Sequence, residues 1–341
     1  MAQQHNNFDF IRLMAATMVL VSHQYAIGGL PEPALLGDGL GGVNVKVFFA
    51  ISGYLVIESW FRDPSLARFL ARRALRIWPG LTVMVLLTVL ALGPVVTTWS
   101  LRDYFSSSHT WAYLRAIKVF ALGGHLPGVF EGMPLNGWMN ASLWSLPVEV
   151  RCYLLLAGLG LVGLLRRRWT LPLLWLGAVV YCHAQADPGV QFVYSQYFLA
   201  GALMSQARRY WVERAPQVFV GAVALAGLLA WLGQAGWAEL LAVPVASISL
   251  GSMSTPVLRR FGRFGDISYG VYIYAFPIQQ TVTQFGVRHA GWSFETGLLV
   301  AGAATYLLGL LSWHGVEKQA LKFKPSAPKV RSAASAAASA A

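Results

Sequence analysis

Long apolar segments recur along the whole chain of 341 residues, and polar connections separate them. A helix needs about 20 predominantly apolar residues to cross the hydrocarbon core of a bilayer. We therefore predict an all-α fold, a polytopic membrane helical bundle with about ten transmembrane helices. The predicted spans are 8–27, 43–60, 77–97, 145–165, 170–184, 190–207, 217–233, 236–253, 267–285 and 294–316.

The composition excludes an ordinary soluble protein. Hydrophobic residues make up 56% of the chain and charged residues only 12%, whereas soluble domains carry about 25% charged residues. The chain is also far too apolar to be disordered. Its net charge of +12 would suggest a nucleic-acid partner in a soluble protein. Here we expect the lipid bilayer as a partner and no nucleic acid, because the charges lie in short connections between apolar segments.

The basic residues predict the orientation in the membrane. Of the 26 lysines and arginines, 19 follow even-numbered spans, and only Arg102, Arg115, Lys118 and Arg288 lie in odd-numbered connections. Connections rich in Lys and Arg stay in the cytoplasm. We therefore expect both termini to be cytoplasmic.

The chain is predicted to form one transmembrane domain over residues 1–324, followed by a disordered, Ala/Ser-rich cytoplasmic tail over 325–341. The longest outer connection covers about 98–144 and is rich in aromatic residues, with a short interfacial helix expected over 111–122. Such a connection is either functional or a capping lid. No internal repeat is visible, which argues against an inverted-repeat transporter.

The first span carries two ionisable residues, Arg12 and His23. Eleven helical steps of about 100° return to nearly the same face, about 16 Å further along the axis. One face thus offers an anion-binding guanidinium and a proton-transferring imidazole. The alternative is two unrelated polar residues near the helix ends.

The fourth span begins with a polar stripe, because Ser145, Glu149 and Tyr153 are four residues apart. From the predicted boundaries, Glu149 and His23 lie at similar depths below the outer surface. We therefore expect that Glu149 can pair with His23 and orient it for general-base work. The alternative is a salt bridge that only packs helices.

Two further motifs allow both functional and structural interpretations. Ser52-Gly53 in the second span lets helices approach closely, which usually serves packing. The arginines of 68–76 can bind phosphates, or they can set the topology and contact anionic lipids.

Together these motifs resemble the acyltransferase-3 family of integral membrane acyltransferases, over about residues 8–320. The resemblance rests on six elements that occur in the family's order: Arg12 and His23 as Arg-x10-His, Phe48 to Gly53 as FFxxSG, Arg73 to Arg76 as RxxR, Trp144 to Tyr153 as WSLxxE…Y, Ile267 to Tyr272 as ISYxxY, and Val316-Glu317. The chain is similar to the shorter members, without the SGNH esterase-like domain of some relatives. Departures are Lys46, Ala275, Gln319 and Arg151-Cys152.

The resemblance implies an O-acyltransferase of the bacterial inner membrane. It would move an acyl group, most simply acetyl, from cytoplasmic acyl-CoA to a hydroxyl of a surface or exported glycan or its lipid-linked precursor. It implies catalytic roles for His23 and Glu149 and donor binding by Arg12, Arg73 and Arg76. Supporting roles are open to Ser52, Ser145, Tyr153 and Tyr269. No metal and no permanently bound cofactor are expected, and acetyl-CoA is a substrate.

Three points stay open at this stage. Transfer can be direct or proceed through an acylated intermediate. The acceptor can belong to an exopolysaccharide, an O-antigen or a lipid-linked oligosaccharide, with polysaccharide biosynthesis machinery as a possible partner. A flippase or transporter for a lipid-linked glycan is the main alternative, since buried ionisable groups also suit a proton-coupled carrier. A non-catalytic membrane scaffold is the third reading.

Overall fold

A computed structural model describes residues 6–121, 124–135 and 137–326. Ten helices of 15 residues or more form the bundle in the described part of the chain. They are α1 (Phe8–Ile27), α2 (Leu40–Arg62), α3 (Leu66–Leu87), α4 (Ser145–Leu161), α5 (Thr170–Ala184), α6 (Val190–Gln206), α7 (Ala215–Trp231), α8 (Ala235–Ser252), α9 (Ser268–Val282) and α10 (Phe294–Ser312). The predicted tail lies outside the described residues from position 327 onward.

The helices confirm an all-α, polytopic membrane protein. Seven helical stretches are long and apolar enough to cross a membrane, by length and composition. They contain α1, α2, α3, α4, α7, α8 and α10. The other three predicted spans correspond to α5, α6 and α9, which have 15, 17 and 15 residues. The all-α class is thus confirmed, while the number of ten crossings stays a prediction.

Small residues bring the central helices into backbone contact. A Cβ atom added at Gly53 of α2 would collide with the carbonyl of Phe198 on α6. One added at Gly201 of α6 would collide with the carbonyl of Ala50. Close packing of small residues is a main source of helix association in lipid. Gly53 therefore serves packing, as the structural interpretation of the Ser52-Gly53 motif predicts.

The helices at the periphery present apolar side chains outward. In the helical stretch Arg208–Trp231, which includes α7, 11% of the apolar 18-residue segment is buried. In Phe294–Phe323, which includes α10, the buried share is 22%. Exposed residues there include Val220, Leu228 and Leu307. In contrast, α9 has eleven buried residues out of fifteen, so it runs through the middle of the bundle.

Two short strands precede α2 and form an antiparallel hairpin, β1 (Ala34–Leu35) and β2 (Asp38–Gly39). The hairpin explains one departure from the family pattern. The Lys46 ammonium, buried on α2, lies 2.7 Å from both Asp38 Oδ2 and Glu239 Oε2. A basic residue is tolerated at this position because two carboxylates neutralise it.

The connection between α3 and α4 folds back into the bundle. Tyr104 is fully buried and its hydroxyl donates to the Val89 carbonyl at 2.9 Å. Asn140 Nδ2 donates to the Ile273 carbonyl, in the middle of α9, at 2.8 Å. The predicted interfacial helix is instead a short helix, Ser108–Ala112, and a 3-10 helix, Tyr113–Lys118. Tyr113 in this region is buried, because the connection packs on helices.

Candidate active site

A cavity lies between α1, α2, α3, α4 and α9. The cavity holds about 120 Å³, and the space that includes its open mouth is about 820 Å³. Eight of the nine predicted site residues line it, namely Arg12, Ser52, Arg73, Arg76, Ser145, Glu149, Tyr153 and Tyr269. His23 is not among the lining residues. We call the part of the bundle around Arg12 the arginine end, and the part around His23 the histidine end.

At the arginine end, one carboxylate holds two guanidinium groups. Asp266 Oδ2 lies 2.6 Å from Arg12 Nη1 and 2.6 Å from Arg76 Nη2. Burial acts to raise the pKa of Asp266, but Arg76 and Arg12 outweigh it and hold that pKa below its ordinary value. A second carboxylate, on Asp9, lies 3.5 Å from Arg12. Asp266 thus joins α1, α3 and the start of α9.

Arg73 differs from its neighbours because it has no ion pair with the residues that the structure describes. Its guanidinium carbon lies 5.8 Å from the centre of the Tyr153 ring, and its Nε is buried without a hydrogen-bond partner. A guanidinium with free donors is suited to bidentate binding of phosphate. Arg73 is therefore the cation of the cavity that is most available to an anionic ligand.

Among the described residues that line the cavity, Glu149 is the only acidic one. Its Oε1 accepts a hydrogen bond from Ser52 Oγ at 3.0 Å and another from the Tyr153 hydroxyl. The Tyr153 bond follows from the predicted stripe, because residues four apart share a helix face. The Ser52 bond connects α4 to α2. Glu149 thus organises two hydroxyl groups in the cavity wall.

The predicted hydrogen bond between His23 and Glu149 is not present among the described contacts. The His23 ring packs edge-on against Phe276, with 5.3 Å between ring centres, and its Nδ1 is buried without a partner. The expectation of equal depth is wrong because the connection before α4 enters the bundle, so α4 begins well below the histidine end.

Contacts along α9 show the difference in depth. Ser145 Oγ lies 2.7 Å from the Tyr272 hydroxyl, so the start of α4 is level with Tyr272. Phe276, which contacts His23, lies one turn from Tyr272 towards the histidine end, and Glu149 lies one turn from Ser145 towards the arginine end. Two turns separate Glu149 and His23 by about 11 Å along the bundle.

Aromatic residues close the cavity towards the histidine end. Tyr272 lines the cavity and packs against Phe48, with 5.8 Å between ring centres. Tyr269 lies deeper, where its hydroxyl donates to the Ile77 carbonyl at 2.7 Å and its ring lies 5.8 Å from the Arg76 guanidinium carbon. The hydroxyl of Tyr269 is thus held by a backbone carbonyl, and its ring packs near the Arg76 guanidinium.

The described residues contain no group of three or more His, Cys, Asp or Glu side chains that could hold a metal ion. The side chains of the site offer three guanidinium groups and one carboxylate with two hydroxyl partners. An imidazole lies beyond an aromatic layer.

The fold and this cavity define a membrane-embedded helical protein with an arginine-lined pocket inside the bundle. Residues 5–314 match the acyltransferase-3 family model, which is described as an acyltransferase domain. The chain therefore belongs to the acyltransferase-3 family and is a membrane acyltransferase.

Two relatives cover almost the whole chain. An "O-acetyl transferase" of Shigella phage Sf6 is 32% identical over 95% of this chain and 98% of its own length. The "Nodulation protein 10" of Rhizobium leguminosarum bv. viciae is 29% identical over 94% of each chain. No solved structure matches the chain significantly.

Sequence reasoning missed two residues of the site. Asp266 directly precedes the motif that begins at Ile267, and an acidic residue beside a predicted cytoplasmic arginine cluster is the signal that could have found it. Tyr272 belongs to the ISYxxY motif, which assigns no separate role to it. Its hydrogen bond to Ser145 depends on how deep α4 begins, which no spacing in the sequence specifies.

Proposed function

We propose that the protein is an O-acetyltransferase of the bacterial inner membrane. It transfers acetyl from cytoplasmic acetyl-CoA to a hydroxyl of a cell-surface or exported glycan or its lipid-linked precursor. Similarity to an O-acetyl transferase over 95% of the chain supports acetyl as the group that is transferred. The observation that carries the proposal is the cavity whose arginines lie at one end, with His23 beyond the other.

The arginine end suits the donor. Coenzyme A is a polyanion, and Arg73 lines the cavity without an ion pair to the residues that the structure describes. Arg12 and Arg76 share the Asp266 carboxylate and Arg12 also lies 3.5 Å from Asp9, so Arg73 is the guanidinium that we assign to the phosphates. The basic residues around this end favour a cytoplasmic location by the positive-inside rule, and acyl-CoA is a cytoplasmic substrate. In this arrangement the cavity binds the nucleotide phosphates and the pantetheine arm points towards His23.

The distance between the two ends fits such a donor. Arg12 and His23 are eleven residues apart on α1, or about 16 Å along the helix axis. An extended pantetheine arm can follow the face of α1 past the rings of Phe48 and Tyr272. Its thioester then lies near the imidazole, while the phosphates stay with the arginines.

The transfer step assigns one role to His23. Its imidazole takes the proton from the acceptor hydroxyl, whose oxygen attacks the thioester carbonyl carbon. The carbon–sulfur bond breaks, and the imidazolium returns the proton to the departing thiolate of CoA. Glu149 acts in this scheme through Ser52 and Tyr153 in the cavity wall, and not as a partner of His23.

A complementation experiment tests the function. A strain that lacks the gene is complemented with wild type or with His23→Asn at equal membrane abundance, and alkali-labile acetate is measured on envelope and secreted polysaccharide. We expect wild type to restore acetate and the variant not to do so. Equal acetate in the empty and the complemented strains would overturn the proposal.

Binding of the donor separates this proposal from a flippase. A carrier of lipid-linked glycans needs no acyl-CoA, whereas the proposed enzyme binds CoA thioesters at the arginine end. Saturable binding of acetyl-CoA to the purified protein is therefore expected. Its absence, together with transport of a lipid-linked glycan in vesicles, would favour the carrier.

A further inference from the structure

A group of buried carboxamides surrounds the position of His23 at the histidine end. Gln279 and Gln280 lie on α9 and are fully buried, and Gln24 follows His23 on α1 and is also fully buried. Gln284 lies one turn beyond Gln280, where the helix continues as a π-helix over Thr283–His289. The bundle thus holds four glutamines at this level, which is a costly arrangement in a membrane protein.

Helical projection places Phe276, which contacts His23, between two of these glutamines around α9. Phe276, whose ring packs on His23, lies about 60° from Gln279 and about 40° from Gln280 around α9, and between them. Gln279 Nε2 donates to the Leu20 carbonyl at 2.7 Å, on the α1 side. Gln280 Nε2 donates to the Trp138 carbonyl at 3.1 Å, on the side of the outer connection. Both amides therefore lie one turn beyond Phe276, on either side of its position around α9.

Three of the four carboxamide nitrogens donate hydrogen bonds, while three of the four carboxamide oxygens accept none from the residues that the structure describes. Gln279 Nε2 also donates to Gln24 Oε1 at 2.9 Å, and Gln24 Nε2 donates to Thr283 Oγ1 at 3.0 Å. In contrast, Oε1 of Gln279, Gln280 and Gln284 is buried without a hydrogen-bond partner, as is His23 Nδ1. A buried acceptor without a donor costs about 1–3 kcal/mol.

The unpartnered atoms share one property, because three are amide oxygens and the fourth is an imidazole nitrogen that accepts when unprotonated. Such a set suits a ligand that donates several hydrogen bonds. A sugar ring with free hydroxyl groups has this chemistry. A phosphate, a carboxylate or a thioester does not, since each of them offers acceptors only.

Resting on the function proposed above, we propose that Gln279, Gln280 and Gln284 form the acceptor subsite. Their amide oxygens accept hydrogen bonds from the hydroxyls of a neutral sugar ring and hold one hydroxyl beside His23. The subsite therefore selects the acceptor, whereas the arginine end selects the donor.

Gln284→Met offers the sharpest test. The amide of Gln284 forms no hydrogen bond with the residues that the structure describes, so a side chain of similar length removes only the free oxygen. The matched control is Gln196→Met, since Gln196 on α6 is also buried with an unpartnered Oε1. A second variant, Gln280→Met, removes an oxygen closer to His23.

The acceptor probe is envelope polysaccharide of the source strain, stripped of its O-acetyl groups with mild alkali, and the donor is radiolabelled acetyl-CoA. For Gln284→Met we expect a KM for the polysaccharide that rises about 3- to 10-fold, the equivalent of one hydrogen bond. Gln280→Met should raise it further. The KM for acetyl-CoA should stay within twofold, and Gln196→Met should change neither constant.

The outcomes distinguish this inference from the function on which it rests. If wild type transfers acetyl and both α9 variants keep the acceptor KM of Gln196→Met, the acceptor subsite is wrong and the function stands. If the α9 variants raise the donor KM equally, the glutamines are structural and the subsite is again wrong. If wild type transfers no acetyl to the polysaccharide, the proposed function fails, and the subsite fails with it.

Discussion

The two ends of the bundle use polar side chains in opposite ways. At the arginine end the charges are paired within a cavity, with Asp266 at 2.6 Å from both Arg12 and Arg76. At the histidine end the buried groups are uncharged, and amide oxygens such as Gln279 Oε1 have no partner. Both ends lie on the same helices, α1 and α9.

This difference assigns the two substrates of an acyl transfer to different places. A guanidinium group without an ion pair to the described residues, such as that of Arg73, suits a polyanionic donor. Uncharged acceptors suit a polyhydroxylated ligand. The aromatic layer of Phe48 and Tyr272 separates the two environments. Along α1 and α9 the chain thus separates an environment with charged groups from one with buried amides.

The largest effect is expected at the histidine end. His23→Asn should lower kcat about 10²- to 10⁴-fold, the usual contribution of a general base. His183→Asn is the control, since His183 lies at the end of α5, stacked on Trp237 and away from the cavity. Steady-state transfer by purified protein in nanodiscs measures the effect, and a kcat within threefold of wild type would remove His23 from the reaction.

The next effect sharpens the role of the arginine end. Arg73→Gln should raise the KM for acetyl-CoA about 10- to 100-fold, since hydrogen bonds to charged groups contribute about 1.5–3 kcal/mol. The acceptor KM should not change. Arg151→Gln is the control, because Arg151 is exposed and faces Phe120. Equal donor KM values in both variants would show that phosphate binds elsewhere.

A third prediction concerns stability at the arginine end. Asp266→Asn leaves Arg12 and Arg76 facing each other without their carboxylate. The free energy of unfolding should fall by about 2 kcal/mol, less than the 3–5 kcal/mol lost when a fully buried pair is broken, because these side chains are partly exposed. Thermal unfolding in detergent measures it. Asp266→Glu should recover part of the loss, and an unchanged melting temperature in Asp266→Asn would contradict the prediction.

The smallest effect lies outside the cavity, in the loop between α2 and α3. Hydrogen bonds from Arg68 and Arg72 hold the pKa of Asp63 well below its usual range. A carboxyl whose pKa is lowered on folding stabilises the protein above its unfolded pKa, about 4. This stabilisation disappears as the pH falls towards the folded pKa.

Melting temperatures of wild type and Asp63→Asn check this point. Wild type should melt slightly higher than the variant by a constant margin between pH 7 and pH 5. The margin should narrow below about pH 4. A margin that widens with acid would show that the ion pairs do not stabilise the fold.

Much of this arrangement can be predicted from the sequence. Apolar segments indicate the bundle, and helical spacing places Arg12 and His23 on one face of α1. Glu149 and Tyr153 share the predicted stripe for the same reason, and both line the cavity with Ser52. These features depend on local periodicity, which a sequence displays directly.

Features that depend on tertiary structure could not be predicted. The depth of α4 is set by the connection before it, whose Asn140 binds the Ile273 carbonyl in the middle of α9. That insertion separates Glu149 from His23 and creates the Ser52 partnership instead. The unpartnered amides of α9 were missed as well, because glutamine in an apolar segment does not reveal which of its atoms find partners.

The most direct test of this division is equilibrium binding of acetyl-CoA to purified protein in nanodiscs, measured by calorimetry for wild type, His23→Asn and Arg73→Gln. We expect His23→Asn to bind the donor with a Kd within threefold of wild type, although it transfers no acetyl. We expect Arg73→Gln to bind it at least tenfold more weakly. Loss of binding in His23→Asn with full binding in Arg73→Gln would contradict a donor site at the arginine end.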